Sequence, residues 1–171
     1  MANLIVYYSR KGQNYWGGAV KDLPRGNTEV VAEFVQAAVG GELFEIETVK
    51  DYPADYYQCT DEAKAERDAN ARPAVKAVPE TAGYDTIFVG FPNWWGTLPM
   101  CLFTALEAMD LTGKRVCPFC TNEGSGMGTS EQDLARLCEA AGATLLPGLP
   151  ITGNRAAKCE CEVAAWAQKL V

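Results

Sequence analysis

Short apolar runs alternate with helix-like stretches from one end of this chain to the other, and that alternation confines it to a parallel sheet covered by helices. Leu4 to Tyr8 is a continuous apolar run, as a strand buried on both faces requires. After an irregular stretch, Asn27 is placed to cap a helix whose apolar positions Val30, Val31, Phe34, Val35 and Ala38 share one face, and Gly40-Gly41 ends it. Glu42 to Glu47 alternates in polarity, which suits an edge strand. The polar segment Asp51 to Arg72 reads as containing a solvent-facing helix over Asp61 to Ala69. Thr86 to Gly90 is the third strand, followed by a helix over Pro99 to Met109 with proline in its first turn. Arg115 to Cys120 is the fourth, followed by a helix over Glu131 to Ala141 capped by Thr129 or Ser130. The fifth, Thr144 to Ile151, carries Pro147 and Pro150, which confine it to an edge or a bulge. Val163, Trp166, Ala167 and Leu170 mark a last amphipathic helix.

Five such units predict an α/β fold: a doubly wound five-stranded parallel sheet, order 2-1-3-4-5, with helices on both faces. At 171 residues the chain has the length of one domain, residues 1–171. Pro118, which has no N–H to give to a sheet, calls for a bulge in strand four or a neighbour that has already stopped.

Composition removes several classes of chemistry. The chain contains no histidine, so Ser-His and Cys-His nucleophile pairs and the commonest metal ligand are absent, and any redox or group-transfer chemistry falls to a bound cofactor. A net charge of −7 opposes nucleic acid and anionic membranes and favours basic patches on protein partners. Seven cysteines, an odd number, with no secretion-type leader at Met1 to Tyr8, predict reduced thiols and a cytoplasmic location. No apolar run approaches the roughly 20 residues of a membrane span.

In a sheet of this order, ligands bind outside the carboxyl ends of the strands, at the switch point between strands one and three. Three loops meet there. After strand one come Ser9 and, past an insertion, Gly26-Asn27-Thr28 at a helix start, where unpaired N–H groups and the helix dipole suit a phosphate. An ordinary helix cap is the plainer reading of the same residues. After strand three comes Phe91-Pro92-Asn93-Trp94-Trp95-Gly96-Thr97-Leu98-Pro99, whose paired tryptophans suit a planar aromatic ligand, or place one ring under the next helix. After strand four comes Thr121-Asn122-Glu123-Gly124-Ser125-Gly126-Met127-Gly128-Thr129, where three glycines admit close backbone approach or simply form a surface loop.

Taken together, "YYSR" with "GNTEVVAEFV", "IFVGFPNWWGTLP" and "VCPFCTNEGSGMGTS" resemble the flavin-binding loops of the flavodoxin family, in order and over nearly the whole chain. The resemblance implies non-covalently bound FMN and low-potential one-electron transfer. It implies that Ser9, Asn27 and Thr28 hold the phosphate, with Lys11 and Gly26 beside them. Pro92, Asn93, Trp94, Trp95 and Gly96 would flank the flavin ring, with Thr121, Asn122, Glu123, Gly124, Ser125 and Gly126 opposite. Partners would be redox proteins: a reductase or ferredoxin-like donor, and an acceptor enzyme. An acidic shell would disfavour the anionic reduced cofactor, and a peptide near Gly96 would exchange hydrogen bonds with the flavin N5. The alternative on the same fold is an NAD(P)H-dependent FMN quinone or flavin reductase; a non-flavin binding module is the third.

Two departures from the family pattern stand out. The insertion Arg10 to Arg25 far exceeds the roughly 2 to 6 residues usual for such a connection. It carries Tyr15, Trp16, Gly17, Gly18 and the cations Arg10, Lys11, Lys21 and Arg25, and reads equally as a lid, a docking surface or a structural flap. The loop after strand four offers no aromatic ring, which predicts one open flavin face. Cys117-Pro118-Phe119-Cys120 has redox-motif spacing but falls inside a strand, so burial is the expected role of both thiols. Cys159 and Cys161 lie too close together for the usual zinc pattern. Ser9 and Arg10 after strand one supply no acidic cluster for a phospho-acceptor receiver.

Overall fold

The structure, a computed structural model, describes residues 2–171. From the N-terminus the elements are β1 (Asn3–Tyr7), β2 (Gly12–Trp16), β3 (Ala19–Leu23), α1 (Asn27–Val39), β4 (Glu42–Glu45) and α2 (Tyr56–Asp68). The second half runs β5 (Thr86–Pro92), α3 (Met100–Ala108), β6 (Arg115–Asn122), α4 (Ser130–Ala141), β7 (Thr144–Leu145), β8 (Leu149–Thr152), a 3-10 segment Gly153–Lys158 and α5 (Glu160–Gln168).

All five residues of β1 are buried, because this strand sits inside the sheet between β4 and β5, parallel to both. The order β4-β1-β5-β6 followed by β7 and β8 is the doubly wound arrangement expected, with the fifth strand in two pieces. Alternation along the strands divides the core. Leu4, Val6, Val89 and Phe91 face Leu102, Leu106 and Leu134 of α3 and α4, whereas Ile5, Tyr7, Phe88 and Phe119 face Val31, Val35 and Val163 of α1 and α5. Each fully buried Leu, Val or Phe contributes about 1.5–3 kcal/mol.

The break in the fifth strand answers the problem set by Pro118. Leu146 N donates to Val116 O at 2.8 Å, so the polar groups of Val116 point to the outer strand, and Pro118, two residues on, points the same way. There the outer strand is interrupted: β7 pairs with Arg115 and Val116, β8 with Phe119 to Asn122. The missing N–H faces a gap.

Three local expectations are corrected. Gly26, and not Asn27, is the N-cap of α1; having no side chain it caps nothing itself, and the side chain that reaches the first turn is Ser9. Helix α2 starts at Tyr56, five residues before Asp61, because Asp55 Oδ1 accepts a hydrogen bond from Gln58 N at 2.9 Å. The irregular stretch after β1 is a β-hairpin, β2 against β3, closed by Gly17 and Gly18 at φ +62° and +94°. A two-residue turn with both φ values positive matches the twist of its strands, and glycine adopts it at no steric cost. Among the described residues no helix is long and apolar enough to cross a membrane.

Candidate functional site

The carboxyl ends of β1, β5 and β6 converge as expected, and hydrogen bonds lock their loops together. Asn93 is the hub. Its N–H donates to Thr121 O (2.8 Å), its Nδ2 to Gly126 O (2.9 Å), and its Oδ1 accepts from Gly96 N (2.8 Å). Gly96 O in turn accepts from Thr129 N at 2.6 Å. Both polar groups of Gly96 are thus engaged within the protein, so the N5 exchange expected there would first have to break a bond to Asn93 or Thr129.

Between these loops lie two adjoining chambers. The narrower, about 180 Å³, is polar, lined by Asn27, Thr28, Thr121, Asn122, Glu123 and Ser125, with Pro92 and Gly153. The wider, about 400 Å³, is walled by Trp94, Trp95, Tyr56 and Tyr57, with Cys59, Thr60 and Ala63 of α2. Arg10, Asn14, Tyr56, Asn93 and Trp94 line both, which marks where the two meet. Cavities of about 300–1,000 Å³ with apolar walls and a few converging polar groups are the usual form of a small-molecule site.

The polar chamber ends on the first turn of α1, where the early N–H groups have no intrahelical partner. Ser9 Oγ takes one of them, Glu29 N, at 3.1 Å. Thr28 is buried, its hydroxyl 2.8 Å from that of Thr121. Two glycines let the backbone pack closely at this end. A Cβ on Gly26 would collide with Ser9 Oγ and come within 2.7 Å of Arg10 O; one on Gly153 would meet Asn27 Nδ2 at 2.5 Å and Glu123 Oε1 at 2.8 Å. In the aromatic chamber Trp94 is half-buried, its ring edge-on to Tyr8 and Tyr52 at 5.2 and 5.0 Å. Trp95 is 44% exposed, yet its Nε1 donates to Thr60 O (2.8 Å) and its carbonyl accepts from Arg67 Nη1 (2.8 Å), tying this loop to α2.

Of the residues singled out in the sequence, Asn27, Thr28, Pro92, Asn93, Trp94, Thr121, Asn122, Glu123 and Ser125 line the polar chamber, and Trp95 the aromatic one. Ser9 and Gly26 support the polar chamber from behind, and Gly96, Gly124 and Gly126 shape the loops. Lys11 is not brought in. It lines a separate groove with Glu45, Glu47 and Asp51, because the chain turns outward between Arg10 and Gly12. The rings that the loop after β6 lacks come instead from Tyr56 at the start of α2 and Tyr15 on the hairpin, centroids 5.9 Å apart. Asp55 ahead of Tyr56-Tyr57, an N-cap before two rings, was the signal for Tyr56, whereas Tyr15 already stood out in the insertion.

Arg10 brings a cation to both chambers, and Glu123 brings a carboxyl to the polar one. Burial raises the Glu123 carboxyl above the usual carboxylate range, opposed by the hydrogen bond it accepts from Gly17 N at 3.1 Å. Burial also pushes the Cys59 thiol up to about 11, so this wall of the aromatic chamber is a neutral thiol at pH 7.

This geometry agrees with the comparisons. The flavodoxin family model matches residues 23–170, and the chain belongs to that family. A candidate flavoprotein from Bacteroides eggerthii DSM 20697 is 28% identical, covering 99% of this chain and 97% of its own, with a TM-score of 0.77. Another from Bacteroides uniformis ATCC 8492 is 28% identical over 98% and 97%, with a TM-score of 0.79. A Lactobacillus acidophilus NCFM flavoprotein, solved in complex with FMN, is 23% identical over 97% and 98%, with a TM-score of 0.65, and shares the fold. No curated protein matches the chain.

Proposed function

We propose that this protein binds FMN non-covalently and passes electrons singly between redox proteins of the cytoplasm, as a low-potential carrier. The observation that carries the reading is the joined pair of chambers, one polar and ending on the first turn of a helix, the other walled by four aromatic rings. FMN has that form, an anionic tail on a flat ring, and supplies reversible one- and two-electron redox chemistry when bound.

The residues fit it. Asn27, Thr28 and the first-turn amides of α1 would hold the phosphate, with the helix dipole favouring the negative charge. Gly26 and Gly153 admit the close approach of Ser9, Arg10, Asn27 and Glu123 around that end, which a Cβ would displace. Trp94, Trp95 and Tyr56 would orient the ring and exclude water from it. Glu123 sets a like charge beside the phosphate end, so binding there rests on the amides and hydroxyls more than on net charge. A surface of net charge −7 opposes further negative charge on the ring, which lowers its potential, and steers the protein to basic partners.

One feature favours the reductase alternative: the aromatic chamber extends along Tyr57, Cys59, Thr60 and Ala63 of α2, which leaves room for a flat substrate beside the ring. Stopped-flow mixing separates the two. A carrier is reduced slowly or not at all by NADH or NADPH, quickly by a reductase partner with rates that fall as salt rises, and in two resolved steps on titration. Rapid bleaching by NADPH with turnover on a quinone would establish the reductase.

A further inference from the structure

We propose that the hairpin β2–β3 is a gate over the polar chamber, latched by Glu123, which holds a mononucleotide flavin in and leaves a dinucleotide flavin no exit for its second half. The proposal rests on the FMN reading given above.

The base of the hairpin is clamped. Arg10 Nη2 donates to Pro53 O and Ala54 O, both at 3.0 Å, and Gln13 Oε1 accepts from Tyr56 N at 2.7 Å. Gln13 thereby satisfies a first-turn amide of α2, which joins the hairpin base to the wall of both chambers. The body of the hairpin is held far less. Neither strand has a buried residue, so no apolar burial fixes it to the core, and a lone two-stranded hairpin is marginal in water. Toward the tip, Tyr15 packs on Tyr56 with centroids 5.9 Å apart, and at the turn itself, where a Cβ on Gly17 or Gly18 would meet nothing within 4 Å, the tie is the hydrogen bond from Gly17 N to Glu123 Oε2 at 3.1 Å. Glu123 is itself a wall of the polar chamber, beside Asn27 and Gly153. The latch therefore lies over the end of the crevice where the phosphate would sit. Closed, it bars the route along which an adenylate would leave a dinucleotide's inner phosphate; open, it uncovers the start of α1.

A gate and a plain ligand contact differ in kinetics. Losing a contact raises the dissociation rate alone, whereas losing a gate raises association and dissociation together. The test compares FMN association and dissociation rates, and the FMN-to-FAD affinity ratio, in the wild type, in Glu123→Ala, and in a variant with Gly12 to Leu23 replaced by a short glycine-serine linker. Both rates should rise about tenfold in Glu123→Ala, the effect of one lost hydrogen bond to a charged acceptor, and further in the shortened variant. Discrimination against FAD should fall in the same order. A rise in the dissociation rate alone, or an unchanged FMN-to-FAD ratio in both variants, overturns the gate. Amide exchange in the full-length protein without flavin reads the latch separately: Gly17 should exchange more slowly than Gly18, and this protection should vanish in Glu123→Ala. Equal exchange in the wild type shows that no latch exists and overturns the proposal even if the shortened variant fails to fold. Should the wild type bind neither flavin, the FMN reading has failed and the gate's selectivity with it, whatever the Gly17 exchange shows of the latch.

Discussion

Thr28 Oγ1 and Thr121 Oγ1 lie 2.8 Å apart with both residues buried, so the first turn of α1 and the end of β6 are joined on the floor of the polar chamber by one hydroxyl pair. One hydroxyl donates and the other accepts, and the accepting one keeps its own hydrogen free for a ligand oxygen. Thr28→Val should leave Thr121 unsatisfied, at a cost of about 1–3 kcal/mol. In urea unfolding, Thr28→Val with Thr121→Val should cost less than the sum of the two single changes, because the double variant leaves no orphan. FMN affinity should fall in Thr28→Val while riboflavin affinity barely moves. Equal affinity of the wild type for FMN and riboflavin would remove the phosphate cradle.

Gly26 is required for space and not for its backbone angle, since its φ of −67° suits any residue. Gly26→Ala forces a Cβ against Ser9 Oγ and Arg10 O, and so breaks the bond by which Ser9 holds Glu29 N. Overpacking of this kind costs about 1–3 kcal/mol, and here it falls on the phosphate end. Gly40→Ala is the control: φ there is +70° and nothing lies within 4 Å, so the cost, about 1 kcal/mol, is backbone strain alone. Thermal melts should show both variants destabilised, with FMN binding weakened only by Gly26→Ala.

What the sequence revealed and what it hid follow from the range of the interactions involved. The strands, their order and the three loops were legible because β1, β5 and β6 are near-continuous apolar runs and the loops lie at strand ends fixed by topology. Pro118 announced the break in the outer strand. The hairpin was not legible: its strands contain no buried residue and carry no apolar alternation, only the Gly17-Gly18 turn. The start of α2 was hidden because its early residues, Tyr56 and Tyr57, face a crevice and not the core, so helical periodicity shows only from Cys59 and Ala63. The misplacement of Lys11 has the same origin, since the direction in which a chain leaves the sheet is set by tertiary contacts such as those of Arg10 to Pro53 and Ala54.

The spacing of Cys117 and Cys120 should carry no redox function. Cys117 belongs to the layer under α1 and α5, and Cys120 to the layer under α3 and α4, so the two thiols lie on opposite faces of the sheet. Diamide treatment followed by mass mapping should find no bond between them; such a bond would sink this reading. Of the seven cysteines only Cys161 is exposed, so a thiol reagent should titrate one fast group in the native protein and seven in denaturant.

The same burial predicts alkaline lability. Cys101, Cys117 and Cys120 are each pushed up to about 12, chiefly by desolvation. A thiol that ionises near its ordinary value in the unfolded chain, but only near 12 in the fold, stabilises the fold fully below that ordinary value, and the contribution is lost as pH rises toward 12. Each such thiol should steepen the loss by about 1.4 kcal/mol per pH unit in that window. Replacing Cys120 with Ala should flatten the alkaline arm of a stability profile while lowering its plateau.

Trp95 tests whether the aromatic chamber depends on backbone strain. Its φ of +56° lies in the left-handed region, where a side chain is disfavoured by about 1–2 kcal/mol, and the position is held by Nε1 to Thr60 O and by Arg67 to the Trp95 carbonyl. Trp95→Ala removes the ring and its hydrogen bond but keeps the strain, whereas Trp95→Gly removes all three. Trp95→Gly should therefore be more stable than Trp95→Ala by about 1 kcal/mol in denaturant unfolding, while both variants lose flavin affinity together. Trp95→Phe keeps a ring and loses only the bond to Thr60, so it should retain most of the affinity and report the anchoring of α2 through faster amide exchange in its first two turns. If Trp95→Ala and Trp95→Gly proved equally stable, the left-handed backbone would carry no strain; if both bound FMN as tightly as the wild type, Trp95 would be no part of the ring site.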